Sequence, residues 1–176
     1  MKVNEVTNLL SHYRHDWMNQ LQILHGYASM GKMEKVQEKL QDIIQGSQEE
    51  SKLMKLQSPH FALWVIRFNT QYDQFRLTYT IQSHHNLEQH DQELLLNCQN
   101  VMNIFEDYIN PLKLYMVTLV VSGQDKPEVT LSVDGDLDKN KDLLERLEDQ
   151  SYRKDVQAVE SENGHTYTMK LLLNER

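Results

Sequence analysis

The sequence predicts an α+β protein built from an N-terminal helical hairpin and a C-terminal α/β sandwich. Over residues 5–30, apolar side chains recur at spacings of three and four, a pattern typical of helices that bury one seam. A second helical pattern continues to about residue 56 and blurs around Gly46. From residue 58 onward, helical stretches alternate with short segments in which apolar and polar residues alternate, as in strands with one buried face. The length of 176 residues suits a small helical module followed by one α/β domain.

Composition and charge exclude several classes of protein. Hydrophobic residues make up 39% and charged residues 25% of the chain, close to globular averages. The formal net charge of −8 argues against a surface for nucleic acid or anionic membrane. No segment approaches the roughly 20 apolar residues of a membrane span, and the first residues lack the apolar core of a signal peptide. We therefore expect a cytoplasmic protein that binds neither nucleic acid nor membrane.

The first helix is expected over residues 5–30 and the second from Met33 to about residue 56. Gly31 offers a C-terminal stop between them, and Gly46 interrupts the second helix at some cost in stability. The apolar seam of the first helix consists of Val6, Leu10, Tyr13, Trp17, Leu21, Leu24 and Ala28.

A lone hairpin cannot cover its own apolar seam. Burying an aromatic side chain as large as Trp17 is worth roughly 2–3 kcal/mol, so isolation of the hairpin is unfavourable. Pairing with a second copy would close the core as a four-helix bundle. We predict a homodimer through residues 5–56; a monomer whose C-terminal domain covers the seam is the alternative.

A domain boundary is expected at residues 57–59, because Ser58 can cap a helix and Pro59 can occupy its first turn. This gives a hairpin domain over residues 1–57 and a sandwich domain over residues 58–176. The predicted helices of the sandwich are 60–73, 89–109 and 137–150. The predicted strands are 76–82, 112–122, 127–133, 154–160 and 165–173, and Asn163-Gly164 joins the last two as a hairpin.

The segment from Arg14 to Leu21 is the strongest candidate for function. At about 100° per residue, His15 lies roughly 155° from the centre of the apolar seam, so it points to solvent. Asn19 and Gln22 follow on the same side, and His12 precedes by one turn. The apolar side chains of Met18 and Ile23 flank this polar stripe, as a docking face for a partner requires.

An exposed histidine suits phosphoryl transfer, because an unprotonated ring nitrogen is available near neutral pH and the side chain can enter another protein's acidic pocket. Two other interpretations remain open from periodicity alone. His15 is either a solvated surface residue or, with His12 at i, i+3, part of a metal site, although no carboxylate follows one turn further on the same stripe.

A family resemblance adds to this interpretation. His15-Asp16-x-x-Asn19-x-Leu21 resembles the phosphoacceptor-histidine box of two-component sensor kinases, with Gln20 in place of the usual proline. Together with Gln22, Ile23, Gly26, the Gly31-Lys32 turn, EESKL at 49–53 and SPHFA at 58–62, the N-terminal half is similar to the sporulation-initiation phosphotransferase B family. Beyond about residue 85 the similarity is one of element order.

The resemblance implies a homodimeric four-helix bundle and a C-terminal domain descended from a kinase ATP-binding domain, here degenerate. It implies a phosphorelay in sporulation initiation: the histidine takes a phosphoryl group from the aspartyl-phosphate of one response regulator and gives it to the aspartate of a second, DNA-binding regulator. His15 would be the phosphoacceptor. Mg²⁺ would belong to the regulator, so this chain would need no cofactor and no metal. The regulator-contacting neighbours would be Arg14, Asp16, Asn19, Gln22 and Ile23.

An ATP-using kinase is the first alternative, and a dimeric adaptor that binds a regulator without chemistry is the second. Where a kinase needs glycine-rich phosphate-binding segments, this chain has only Asp134-Gly135-Asp136, which we interpret as a simple turn. We expect no productive ATP binding and interpret three asparagines on the predicted helix 89–109 as solvated. These are Asn97, Asn100 and Asn103.

Several other residues are interpreted structurally. Trp64 and Phe68 are expected in the core, and Cys98 is expected to be a buried small hydrophobe. The cluster of His84, His85, His90 and Asp91 is predicted to be a solvated polar linker rather than a metal site.

Overall fold

The structure, a computed structural model, describes residues 3–137, 141–149 and 153–173. The chain divides into two compact units, Met1–Glu50 and Ser51–Arg176. Two long helices come first, and a five-stranded sheet with further helices follows, so the predicted α+β class is confirmed. Within the described residues, none of the helices has the length and apolar character needed to span a bilayer.

The first unit consists of an antiparallel pair of helices, α1 (Val3–Ser29) and most of α2 (Met33–Lys55), whose last residues fall in the second unit. Gly31 ends α1 with a φ of 69°, the left-handed conformation that glycine adopts at little cost. The amide of Gly31 donates to the Ala28 carbonyl and the amide of Lys32 donates to the Tyr27 carbonyl, each at 3.0 Å. These two hydrogen bonds satisfy the last carbonyls of α1 as a Schellman motif. The predicted stop at Gly31 is therefore confirmed, and α2 continues through Gly46 without a break.

The division between the units lies after Glu50, earlier than the boundary placed between residues 57 and 58 from the sequence. The physical reason is the burial of Leu53 in the last turns of α2 and of Leu56 just beyond them. Both side chains are fully buried in the hydrophobic core of the second unit. The end of α2 therefore belongs to that core.

The start of α3 (Pro59–Gln71) differs from the prediction in how it is capped. Pro59 occupies the first turn as expected, but the Ser58 side chain makes no capping hydrogen bond among the described residues. The carboxylate of Asp91 accepts hydrogen bonds from the backbone amides of His60 at 3.1 Å and Phe61 at 2.8 Å. A charged acceptor that reaches two free amides replaces the local hydroxyl, since both the helix dipole and the hydrogen bonds favour it.

The second unit continues with β1 (Phe75–Ile81), α4 (Asp91–Glu106), β2 (Tyr115–Ser122), β3 (Glu128–Gly135), α5 (Lys141–Glu148), β4 (Arg153–Ser161) and β5 (Gly164–Leu171). The strand order is β1-β2-β3-β5-β4, with β1 parallel to β2 and the remaining pairs antiparallel. Alternate residues of the central strands are buried in one core with α3, α4 and α5. Mostly polar side chains occupy the opposite face, where Thr118 pairs with Ser132 and Ser132 pairs with Thr168. The predicted α/β sandwich is therefore confirmed.

Three boundaries differ from those expected. The helix predicted over 89–109 is α4, preceded by a single 3₁₀ turn at Glu88–His90. The strand expected from residue 112 begins at Tyr115, because Asn110 accepts a hydrogen bond from Lys113 in a tight turn. The turn between β4 and β5 consists of residues 162 and 163, and Gly164 already pairs with Ser161. Residues 138–140 and 150 of the helix predicted over 137–150 lie outside the described residues.

The segment between β1 and α4 is not the solvated linker that its histidines suggested. Leu87 is fully buried, and Ser83 and Asp91 are also buried. His84 is exposed, whereas His85 and His90 are partly covered. Leu87 also donates its backbone amide to the Leu56 carbonyl at 2.7 Å, so this segment is part of the folded core. The expectations for Trp64, Phe68 and Cys98 are confirmed, since all three are buried.

Candidate functional site

His15 lies on the outer face of α1 with 70% of its side chain exposed. His12, Asn19 and Gln22 are also exposed and recur at helical spacing on the same side of α1. The polar stripe expected from the sequence is therefore present. A side chain held on a helix in this way projects from a rigid support, which an approaching active site requires of its substrate.

The imidazole of His15 has two polar neighbours, both at Nδ1. Asp16 Oδ1 lies 3.4 Å from Nδ1, and the amide nitrogen Nδ2 of Asn19 lies 3.2 Å from it. The two contacts select opposite tautomers, because a carboxylate only accepts a proton and an amide N–H only donates one. With Asp16 as the partner, Nδ1 carries the proton and the lone pair is on Nε2. Nε2 then points away from both neighbours and is the nitrogen able to act as a nucleophile.

The other residues predicted to contact a regulator are also exposed on α1. Asp16 has 63% of its side chain exposed, Ile23 is 45% exposed, and Arg14 and Gln22 are exposed as well. Asp16 and Asn19 contact the imidazole directly. Gln22 and Ile23 lie about two turns further along the axis, roughly 10 Å away, where they extend the exposed face.

A second exposed face on the first unit is apolar. On α1 it includes Leu10, Trp17 and Leu21, which remain 62%, 38% and 48% exposed in the single chain. Leu40 and Ile44 on α2 are also exposed. Trp17 and Leu21 point to the opposite side of α1 from His15. Rotations of about 200° for Trp17 and about 600° for Leu21, the latter equivalent to about 240°, separate them from it. A partner that covered this apolar face would leave the histidine free.

The two helices of the hairpin also interact through side chains. The Tyr13 hydroxyl lies 2.9 Å and 3.0 Å from the two carboxylate oxygens of Glu50. Near the other end, Lys35 Nζ lies 5.8 Å from the centre of the Tyr27 ring. Both contacts fit one antiparallel register of α1 and α2. From the sequence, Tyr13 was placed among the apolar seam residues and Glu50 was not singled out. The phenolic hydroxyl, which makes tyrosine only partly apolar, is the signal that could have indicated a polar partner.

The segment Asp134-Gly135 ends β3, and residues of its own sheet surround it. Thr166 donates to Asp134 Oδ1 at 2.6 Å and Asn163 donates to Oδ2 at 3.4 Å. Burial alone would raise the pKa of Asp134, but hydrogen bonds from these and neighbouring side chains hold it below its ordinary value. A Cβ atom at Gly135 would lie 2.5 Å from the Tyr115 ring, so the ring packs directly against this glycine.

The three asparagines of α4 do not share one environment. Asn100 and Asn103 are exposed as expected. Asn97 is only 6% exposed, so its interpretation as a solvated residue is wrong. It follows Leu94 by one turn and adjoins Cys98, both fully buried, and this position brings it into the core. Its side-chain nitrogen has no hydrogen-bond partner among the described residues.

Groups of three or more His, Cys, Asp or Glu side chains arranged to hold a metal ion are absent from residues 3–137, 141–149 and 153–173. His12 and His15 therefore lack a third ligand of these types within that part of the chain.

Comparison with known proteins supports the resemblance seen in the sequence. Residues 1–56, which include α1 and α2, match the family model for the sensor kinase SpoOB-type, alpha-helical domain. The chain is also similar to a bacterial phosphotransferase. Over 108 residues it is 32% identical to sporulation initiation phosphotransferase B of Bacillus subtilis (strain 168). The alignment covers 61% of this chain and 56% of the relative, so it spans little more than half of that protein.

Proposed function

We propose that the chain is a histidine phosphotransferase of a sporulation phosphorelay. His15 accepts a phosphoryl group from the aspartyl-phosphate of one response regulator and passes it to the aspartate of a second, DNA-binding regulator. The observation that carries the proposal is an exposed imidazole whose contacts with Asp16 and Asn19 are both at Nδ1 rather than at Nε2. The name of the similar Bacillus protein, sporulation initiation phosphotransferase B, supports the same class of reaction.

In the first transfer, the lone pair on Nε2 of His15 attacks the phosphorus atom in line with the bond to the donor aspartate. The N–P bond forms as the P–O bond breaks, and the donor leaves as a carboxylate. The proton on Nδ1 stays in place, so the phosphorylated ring is positively charged and the carboxylate of Asp16 stabilises it. The second transfer is the reverse reaction with a different carboxylate. Mg²⁺ held by the regulator offsets phosphoryl charge, and this chain supplies only the nucleophile and its orientation.

Docking in this proposal uses the exposed face around His15. Arg14 and Asp16 flank the imidazole on either side of the helix, and Asn19 contacts its ring. Gln22 and Ile23 extend the contact along the axis. The mixture of charged, amide and apolar side chains suits a transient protein interface.

The apolar face of the hairpin is the surface we propose for a homodimer. Its exposed leucine and tryptophan side chains would form the core of a four-helix bundle, and both copies of His15 would remain outside. The resulting dimer would present two equivalent phosphoacceptors.

The environment of Asp134 and Gly135 favours phosphotransfer over an ATP-dependent kinase. The carboxylate already accepts hydrogen bonds from Thr166 and Asn163, and Tyr115 fills the space above the glycine. These side chains are therefore engaged within the fold of the second unit, which supports their interpretation as a structural turn.

The test uses the whole chain and a receiver domain charged with a small acyl phosphate. We expect acid-labile phosphate on the wild-type chain and on His12→Gln, a matched control on the same exposed stripe, but none on His15→Gln. Label acquired from ATP alone would instead indicate a kinase. Regulator binding that persists in His15→Ala, with phosphate never trapped on the wild type, would indicate an adaptor and refute the proposal.

A further inference from the structure

The contact between Tyr13 and Glu50 lies directly behind the candidate phosphoacceptor. Tyr13 precedes His15 by two residues, a rotation of about 200°, so the two side chains leave opposite sides of α1. The tyrosine hydroxyl is 2.9 Å and 3.0 Å from the two oxygens of Glu50 on α2. One side of this helical turn is therefore attached to α2 while the other side carries the imidazole.

The local environment keeps the Tyr13 hydroxyl in its donor form. Burial raises the pKa of Tyr13, a hydrogen bond with Trp17 acts in the opposite direction, and the carboxylate of Glu50 raises it further. The net pKa is above the ordinary value, so near neutral pH the hydroxyl retains the proton that it donates to Glu50. Trp17 lies two residues after His15, which places both aromatic side chains behind it.

A hydrogen bond at this position fixes two properties of α1. Because Glu50 accepts the Tyr13 proton, sliding α1 along α2 or rotating it about its own axis would break the bond. Rotation by one residue position is about 100°, enough to turn His15 away from its present direction. Apolar contacts between helices are far less directional, and a polar pair in a helical interface is a known means of specifying register.

We propose that Tyr13, held by Glu50, is a positioning residue for phosphoryl transfer, because it sets the direction in which His15 leaves the hairpin. This inference rests on the proposed function. It adds that reactivity toward a docked regulator depends on a hydrogen bond on the far side of the helix, made by residues that the regulator does not touch. In-line transfer is sensitive to such orientation, since a misplacement of about 1 Å can lower a rate by roughly a hundredfold.

The primary variant is Tyr13→Phe, which removes one oxygen atom and leaves the ring. We expect the rate of transfer from a saturating phosphorylated receiver domain to fall between about tenfold and a hundredfold. The half-saturating receiver concentration should stay within about twofold, because the docking face is unchanged. Tyr27→Phe is the matched control: it also lies on α1, and its ring retains the contact with Lys35. It should transfer at the wild-type rate.

Glu50 provides an independent variant if Tyr13→Phe loses its helical circular-dichroism signal or changes its sedimentation. Glu50→Ala should reproduce the loss of rate, and Glu50→Gln, which keeps an acceptor oxygen, should restore most of it. Combining Tyr13→Phe with Glu50→Ala should add little to either single effect, because both remove the same interaction.

A small phosphoryl donor distinguishes orientation from chemical reactivity. Potassium phosphoramidate needs no docking, so it should phosphorylate His15 equally fast in Tyr13→Phe and in the wild type. An equal loss with both donors would overturn the inference, as would a folded Tyr13→Phe that transfers at the wild-type rate. A wild-type chain that never acquires phosphate on His15 would instead refute the proposed function.

Discussion

The apolar face of the hairpin makes a quantitative prediction about self-association. Leu21 lies on the side of α1 away from His15 and is 48% exposed in the single chain. If a second copy covers this face, replacing Leu21 with alanine removes apolar contact area without altering the polar stripe. Leu21→Ala should therefore weaken the dimer and leave the chemistry of His15 intact.

The expected magnitude follows from the exposed fraction of Leu21. Complete burial of a leucine side chain is worth roughly 1.5–3 kcal/mol, so the half that remains exposed is worth about 1 kcal/mol. Two-fold symmetry places the change in the interface twice, giving about 2 kcal/mol for the dimer. Since about 1.4 kcal/mol corresponds to a factor of ten, the dissociation constant should rise roughly thirtyfold.

Sedimentation equilibrium over a wide range of protein concentrations measures this change. Leu112→Ala is the matched control, because Leu112 is 92% exposed in a turn of the second unit and should leave the dissociation constant unaltered. A wild-type chain that stays monomeric at high concentration would contradict the prediction. A Leu21→Ala dimer that dissociates at the same concentration as the wild type and the Leu112→Ala control would also contradict it.

Three further predictions concern the second unit. Asp91→Ala removes two hydrogen bonds to the first turn of α3. It should lower the free energy of unfolding, measured by urea denaturation, by about 2–4 kcal/mol. Ser58→Ala loses no capping bond and should change this free energy much less. Gly135→Ala places a Cβ atom 2.5 Å from the Tyr115 ring at a φ of 153°, so thermal unfolding should occur at a clearly lower temperature. Burial raises the pKa of the Cys98 thiol far above its ordinary value, so a thiol reagent at pH 8 should modify it only after unfolding; rapid labelling of the native chain would contradict this.

The order of helices and strands could be predicted because the information for it is local. The spacing of apolar residues distinguishes α1 from β2 within a short window of sequence. Gly31 marks the end of α1 because few other residues adopt its left-handed conformation. The direction of His15 followed from the same geometry, since an angle around a helix depends only on residue spacing.

Interactions between distant residues could not be predicted in this way. Asp91 caps α3 by accepting a hydrogen bond from the backbone amide of His60, which lies 31 residues earlier in the chain. The sequence around Asp91 resembles a polar linker. Asn97 has a polar amide side chain of a type that is usually exposed, yet it is buried. In each case the tertiary fold determines whether the side chain is buried and what it contacts. A short window of sequence around a polar residue does not indicate which distant residue it will contact.

The same limit applies to the candidate site. The side of α1 that carries His15 could be derived from the periodicity, because it is the side opposite the apolar seam. The contact on the opposite side could not, because Tyr13 fits the apolar seam by spacing and shows its polar function only when Glu50, 37 residues later, is placed beside it. A phosphoacceptor needs both sides, since a free nucleophile transfers efficiently only when its support holds it in one direction. The hydrogen bond behind His15 is therefore as much a part of the proposed site as the exposed ring, and variants that spare the outer face can still change the rate of transfer.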